Sequence, residues 1–272
     1  MKAVAEVSVV IPCYRCAETI GRAIDSVAAQ TMPPTEVILV DDCSNDGQKT
    51  LNCLHALKGT HPNLPLKILT LSENKGPGSA RNEGWLHSTQ PYIAFLDADD
   101  SWHSQKLEIQ YSWMCSHPEV VLCAHASLNL SKRSIPQSLG VLVASQIDMR
   151  ALLWSNFLPC RSIMLKRNIV ARFVEGKRQA EDYLLWLSIG FQEGKLWYLN
   201  LPLAYSYKAD FGQDGLNGDL QASYKGMLDT YRLIYRNGFI STTKYSFLLV
   251  MTYLKHCRRR LLSRLRSKLV AL

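Results

Sequence analysis

Four apolar runs rich in β-branched residues mark the first hundred positions: VSVVIP from Val7, VILVDD from Val37, LKILTL from Leu66 and YIAFLD from Tyr92. Each is continuous rather than alternating, as strands covered on both faces are, so they predict a mainly parallel sheet. Between the first two, Ile20, Ala23, Ile24, Val27 and Ala28 recur at the spacing of an amphipathic helix. A second crossover helix follows the capping-type CSND, with Leu51, Leu54 and Leu57 at helical spacing, and a third, weaker one spans roughly Ser79–His87. Strand and helix in this rhythm give an α/β fold with helices on both faces of the sheet. Further on, the pattern predicts a strand over Val120–Ala126, a short helix near Met149–Trp154 and a strand-like RSIMLK. A helix in AEDYLLWLSIGFQEG, stopping at Gly194, extended KLWYLNLPLAYSY and helices from Asp219 onward complete the chain.

In sheets of this kind ligands bind beyond the carboxyl ends of the strands. All four runs end there in polar clusters, PCYR, DDCSNDG, SENKGPGSARN and DADD, which predicts one shared site. If YIAFLDADD stays extended, Asp97 and Asp99 point one way while Ala98 and Asp100 point the other. Two carboxylates on one side make a hard-oxygen site suited to Mg²⁺ or Mn²⁺, with the remaining ligands from water and substrate phosphates. Alternatively Asp99 and Asp100 cap a helix beginning near Ser101. Capping leaves Asp97 and the other three polar strand ends without a role.

As an ordered set, VSVVIPCY, EVILVDDCSNDG, NKGPGSARN, FLDADDSW and EDYLLW resemble the signatures of family 2 glycosyltransferases, inverting enzymes of the Rossmann-like GT-A fold. The resemblance spans about Val7–Trp186. It implies a nucleotide-sugar-binding half over residues 1–127 and an acceptor-binding half of the same GT-A domain over 128–210; the tail beyond about Tyr207 is not covered, and its own pattern predicts a helical, basic extension over 211–272. By similarity, Asp41 meets the uracil of a UDP-sugar with Pro12 and Tyr14 beside the base, while Asp42 either touches the ligand or stabilises its own turn. Arg81 is placed near the nucleotide, where a guanidinium fits phosphate; the alternative is a surface Arg paired with a neighbouring acid. The Asp97-Ala98-Asp99 stretch contacts the donor, with Asp97 at the ribose or metal and Asp99 on a Mn²⁺ or Mg²⁺ bridging the diphosphate. Of the Glu181-Asp182 pair, Asp182 is implied as the base that deprotonates the acceptor hydroxyl; a plainer reading puts both acids in the favourable first turn of a helix. The implied reaction moves a sugar to a glycan or lipid-linked acceptor in cell-surface polysaccharide synthesis. Two departures, Arg15 where the family often has Asn and Cys43 where it has Gly or Ala, bear on loop shape.

Composition narrows the alternatives. The net charge of +8 is local: residues 230–272 hold ten Lys and Arg and no acid, which leaves 21 basic against 23 acidic residues before them, about −2. A broad nucleic-acid-binding face is therefore not expected. A dehydrogenase is disfavoured because PCYRCAET replaces G-x-G-x-x-G after the first strand. A catalytically inactive GT-A nucleotide-binding module would be marked by loss of Asp99 or Asp182, and both are present. The N-terminal apolar run is too short for a signal segment, and FLLVMTYL falls far short of a membrane span. The eight cysteines, including the Cys13–Cys16 pair, are accordingly expected to be reduced, structural thiols in the cytoplasm. From Arg258 on, Leu261, Leu262, Leu265, Leu269 and Leu272 lie near one helical face beside basic residues. Residues 255–272 thus predict either a helix lying on an anionic membrane surface or one packed on the protein by its Leu stripe.

Overall fold

The computed structural model describes residues 3–131, 133–136, 138–207 and 219–270, with the backbone alone for 263–270. Its strands are β1 (Ala5–Cys13), β2 (Pro34–Asp41), β3 (Leu66–Thr70), β4 (Tyr92–Phe95), β5 (Ser101–Trp102), β6 (Leu122–Asn129), β7 (Ala144–Gln146), β8 (Met164–Lys166) and β9 (Leu196–Ser206). They form one sheet in the order β3-β2-β1-β4-β8-β6-β9-β5, with β7 pairing to β9. The first four are mutually parallel, as the continuous apolar runs require. The second half is mixed: β8 is antiparallel to β4 and β6, whereas β6 and β9 run parallel.

The helices are α1 (Ile20–Ala28), α2 (Lys49–Thr60), α3 (Pro77–Leu86), α4 (Lys106–Ser116), α5 (Met149–Trp154), α6 (Glu181–Glu193), α7 (Leu220–Arg236) and α8 (Thr242–Val270). Both faces of the sheet are covered, and β1 shows how. Val7, Val9 and Ile11 share a core with Ile24 of α1 and Leu107 of α4. Val10, pointing the other way, packs with Trp85 of α3 and Trp186 of α6. Helix α3 lies so close to β1 that a Cβ at Gly84 would overlap Val10.

Several expectations need local correction. Strand β4 ends at Phe95 and the chain turns at once, the Asp100 amide donating to the Asp97 carbonyl at 3.1 Å, so the alternation drawn for Asp97–Asp100 does not hold. No helix begins near Ser101; that residue opens β5, and α4 starts at Lys106. RSIMLK is a 3-10 turn over Cys160–Ser162 followed by β8. Within CSND only Asp46 serves the start of α2, accepting from the Thr50 amide at 3.1 Å and hydroxyl at 2.6 Å. Arg15 (φ 48°) and Cys43 (φ 55°) are left-handed, the conformation that Asn and Gly adopt most readily, so both loops hold a strained backbone on less permissive residues. Helix α8 packs inward through Leu248, Thr252 and His256, while Leu261 and Leu262 are exposed among the described residues. The Leu265 and Leu269 side chains and Leu272 lie outside the described residues. No described helix is long and apolar enough to cross a membrane.

Candidate active site

The parallel register brings the strand ends level. Cys13 of β1 pairs with Asp41 of β2, which pairs with Thr70 of β3. Just beyond, Tyr14 is exposed with the Arg15 guanidinium 5.2 Å from its ring centroid, and Pro12 is half-buried. The Asp41 carboxylate accepts from the Ser44 amide at 3.3 and 3.4 Å. Asp42 does not brace its own turn. Its two oxygens accept the Lys75 and Gly76 amides, both at 2.8 Å, and so clasp the loop leading into α3. Burial pushes the Asp42 carboxyl upward, against those two amides.

Helix α3 then carries Arg81 beneath the end of β4. Arg81 is buried, not a surface residue, and joins two acids far apart in sequence: Nη2 donates to Asp97 at 2.6 Å and Nη1 to Glu181 at 3.2 Å. In the turn after β4, Ala98 is buried and Asp99 half-buried, its carbonyl accepting from Arg22 at 2.6 Å. Asp100 is buried against Arg161 at 3.1 Å. Burial pushes the Asp100 carboxyl up to about 7; Arg161 opposes this, while Asp97 and Asp99 add to it.

Helix α6 supplies the other wall. It opens with Glu181 and Asp182 after Ala180, a left-handed residue (φ 53°) with no side-chain cap. Glu181 is held by Arg81, whereas Asp182 remains half-buried. Asn156 Nδ2 lies 3.3 Å from each Asp182 oxygen, and the Tyr183 amide donates to Oδ1 at 2.6 Å. The Asn156 segment is itself fixed: the Tyr183 hydroxyl donates to the carbonyls of Leu152 and Leu153, each at 2.9 Å, and the Trp186 indole to Leu158 at 3.2 Å. Burial, followed by the neighbouring Glu181, raises the Asp182 carboxyl to about 7, although Arg81 pulls the other way.

The expected residues thus fall into two groups joined by α3. Pro12, Tyr14, Asp41 and Asp42 line the ends of β1 and β2; Arg81, Asp97, Glu181 and Asp182 form a connected charge cluster, with Ala98 and Asp99 in the turn beside it. Asn156, Arg161 and Arg22 join them without having stood out in the sequence, since each sits in a loop or helix whose apolar pattern says nothing about a distant partner. Among the described residues no three His, Cys, Asp or Glu side chains converge to hold a metal. Asp97 and Asp99 nevertheless offer the one or two hard carboxylates that Mg²⁺ or Mn²⁺ takes when substrate phosphates complete its shell, so the donor set fits such an ion.

Residues 8–176 match the sequence profile of Glycosyl transferase family 2. The Escherichia coli UDP-Glc:alpha-D-GlcNAc-diphosphoundecaprenol beta-1,3-glucosyltransferase WfgD is 33% identical over 184 residues, 67% of this chain and 69% of that one. The structure of Staphylococcus aureus TarS 1-349 in complex with UDP-GlcNAc superposes with a TM-score of 0.69 at 22% identity, covering 92% of this chain and 72% of that chain. The mannosyltransferase PcManGT from Pyrobaculum calidifontis, in complex with GDP-Man and Mn²⁺, gives 0.66 at 19% identity, covering 92% and 70%.

Proposed function

The chain belongs to Glycosyl transferase family 2 and is a glycosyltransferase of the GT-A fold, and from that premise we propose an inverting, metal-dependent transfer from a UDP-sugar to a hydroxyl of a lipid-linked glycan. The observation that carries this reading is the Asp97–Arg81–Glu181 bridge, which sets the partly exposed Asp182 beside the ends of the parallel strands. WfgD, the 33%-identical relative, is named for UDP-Glc and a diphosphoundecaprenol-linked GlcNAc, the same donor and acceptor classes. On this reading, with an acceptor of that class, the chain works in the cytoplasm, at the inner face of a membrane.

Asp41 accepts the uracil N3–H at the end of β2, and the exposed Tyr14 ring and Pro12 flank the base. Arg81, with both Nη groups engaged by carboxylates, acts as a positioning residue that fixes Asp97 and Glu181. A Mn²⁺ or Mg²⁺ held by Asp99 with Asp97 would neutralise charge developing on the departing diphosphate. Asp182 takes the proton of the acceptor hydroxyl as its oxygen attacks the anomeric carbon. The new C–O bond forms on the face opposite the UDP, whose β-phosphate oxygen leaves with the bonding pair, so the configuration inverts. Asn156, donating to Asp182, orients the carboxylate and favours its ionised form.

The test uses the purified chain with UDP-, GDP- and TDP-sugars and a GlcNAc-diphospholipid acceptor. UDP should raise the melting temperature more with Mn²⁺ than with EDTA, and Asp182→Asn should keep that response while transfer falls by roughly 10²–10⁴-fold. Glu181→Gln should cost less. Near-full transfer by Asp182→Asn would remove it as the base; UDP binding with no transfer or donor hydrolysis in the parent chain would indicate an inactive nucleotide-binding module.

A further inference from the structure

Helix α8 is amphipathic twice over. Its inner face, through Leu248, Thr252 and His256, packs toward α7, where His256 stacks on Tyr224 with centroids 4.4 Å apart. Its outer side carries a second apolar stripe: Phe247, Val250, Leu254 and Leu261, at i, i+3, i+7 and i+14, are each more than half exposed. Four large apolar side chains in one solvent-facing row mark an interaction surface rather than scattered surface residues.

The charge around the stripe selects its partner. Arg258 lies four residues after Leu254 and three before Leu261, which puts it at the stripe's edge, with Arg259 and Arg260 exposed beside it. Residues 230–272 contain no Asp or Glu, so a second copy of this helix would meet the stripe with like charge only. At the stripe's N-terminal end Trp154 is partly exposed and stacks on Phe247 at 6.0 Å, and the Lys255 ammonium sits 4.1 Å from its ring centroid. Apolar row, basic flank and edge tryptophan together are the chemistry of a helix lying in the headgroup region of an anionic bilayer.

We infer that the outer face of α8, from Phe247 to Leu261, docks on an anionic lipid surface. This begins the contact ahead of the 255–272 segment that the sequence pattern suggested. It also gives the contact a direction, because Trp154 lies two residues before Asn156, whose side chain donates to Asp182. Docking by this face therefore brings the end of the site that holds Asp182 toward the membrane, where a lipid-linked acceptor presents its hydroxyl; that purpose rests on the proposed function, but the docking does not. Each basic residue held at such a surface strengthens binding about fivefold, so the contact should weaken steeply with salt.

Co-sedimentation of the full chain with phosphatidylcholine vesicles, with and without phosphatidylglycerol, tests this. Binding should require phosphatidylglycerol and should fall about tenfold or more in a Phe247→Ser, Leu254→Ser double variant. It should fall comparably in Arg258→Gln, Arg259→Gln, Arg260→Gln, with circular dichroism and the UDP melting shift unchanged in both. Binding indifferent to phosphatidylglycerol and to these substitutions overturns the inference. So does a parent chain that sediments as a dimer without vesicles and becomes monomeric in the double variant, since the stripe then belongs to a second copy. Vesicle binding by a chain that binds no UDP would support the docking while overturning the functional reading.

Discussion

Burial pushes two acids in this site, Asp100 and Asp182, up to about 7, but each is set among different neighbours. Asp100 is buried against Arg161, whereas Asp182 is partly exposed and accepts hydrogen bonds from Asn156 and a backbone amide. A general base works when ionised, so transfer should rise with pH and level off above about 7 as Asp182 loses its proton. The rate–pH profile of Asp182→Asn should lack this limb, while Asp100→Asn should keep it with a lower plateau. A limb that vanishes in Asp100→Asn instead would transfer the titration to the Arg161 pair. The Asn156 contact was not legible in LLWSNFLPC. Its partner lies 26 residues on, and only the Tyr183 and Trp186 anchors turn that loop toward α6.

At the scale of elements, α3 organises the site. Asp42 clasps the loop at its start, and Gly78 lets it approach α6, since a Cβ there would meet Glu181 Cγ and Phe173 Cβ at 3.2 Å each. Arg81 follows, between Asp97 and Glu181. Replacing Arg81 by Met leaves two carboxylates facing each other with their shared cation gone. Breaking such a pair costs roughly 3–5 kcal/mol when fully buried, and the partial exposure of Asp97 points to the lower end. Urea unfolding of Arg81→Met should show that loss, and a change under about 1 kcal/mol would mean the bridge is a surface-type pair. The parallel strands and the helices between them were readable because burial on both faces leaves an uninterrupted apolar run. The ends of elements were not. The turn at Asp97–Asp100 depends on Arg81 and Arg161, which come from α3 and from a 3-10 turn some 60 residues later, and no local pattern announces either. The family resemblance named acids that the structure brings near one another, but not that Asp42 and Glu181 would be occupied in holding a loop and a helix.

Across the whole molecule, the strand ends proposed to take the donor and the helix that carries Asp182 are bridged by the Arg81 guanidinium. That contact makes the site a single electrostatic unit. Whatever occupies the space beside Asp97 alters the potential at Glu181 and Asp182, and the proton on Asp182 must in turn alter the affinity for that occupant by the same factor. Near pH 7, where Asp182 is partly protonated, arrival of a ligand with net negative charge should draw a proton from solution. Calorimetry of UDP binding in buffers of different ionisation enthalpy would read this as a buffer-dependent heat, absent in Asp182→Asn. An equal heat in every buffer would show the two ends to be insulated. If they are coupled, the nucleotide is more than a leaving group: its charge strengthens the ionised carboxylate's pull on the acceptor proton, and as the diphosphate departs that pull relaxes, so release of product lets the captured proton go and resets the base for its next acceptor.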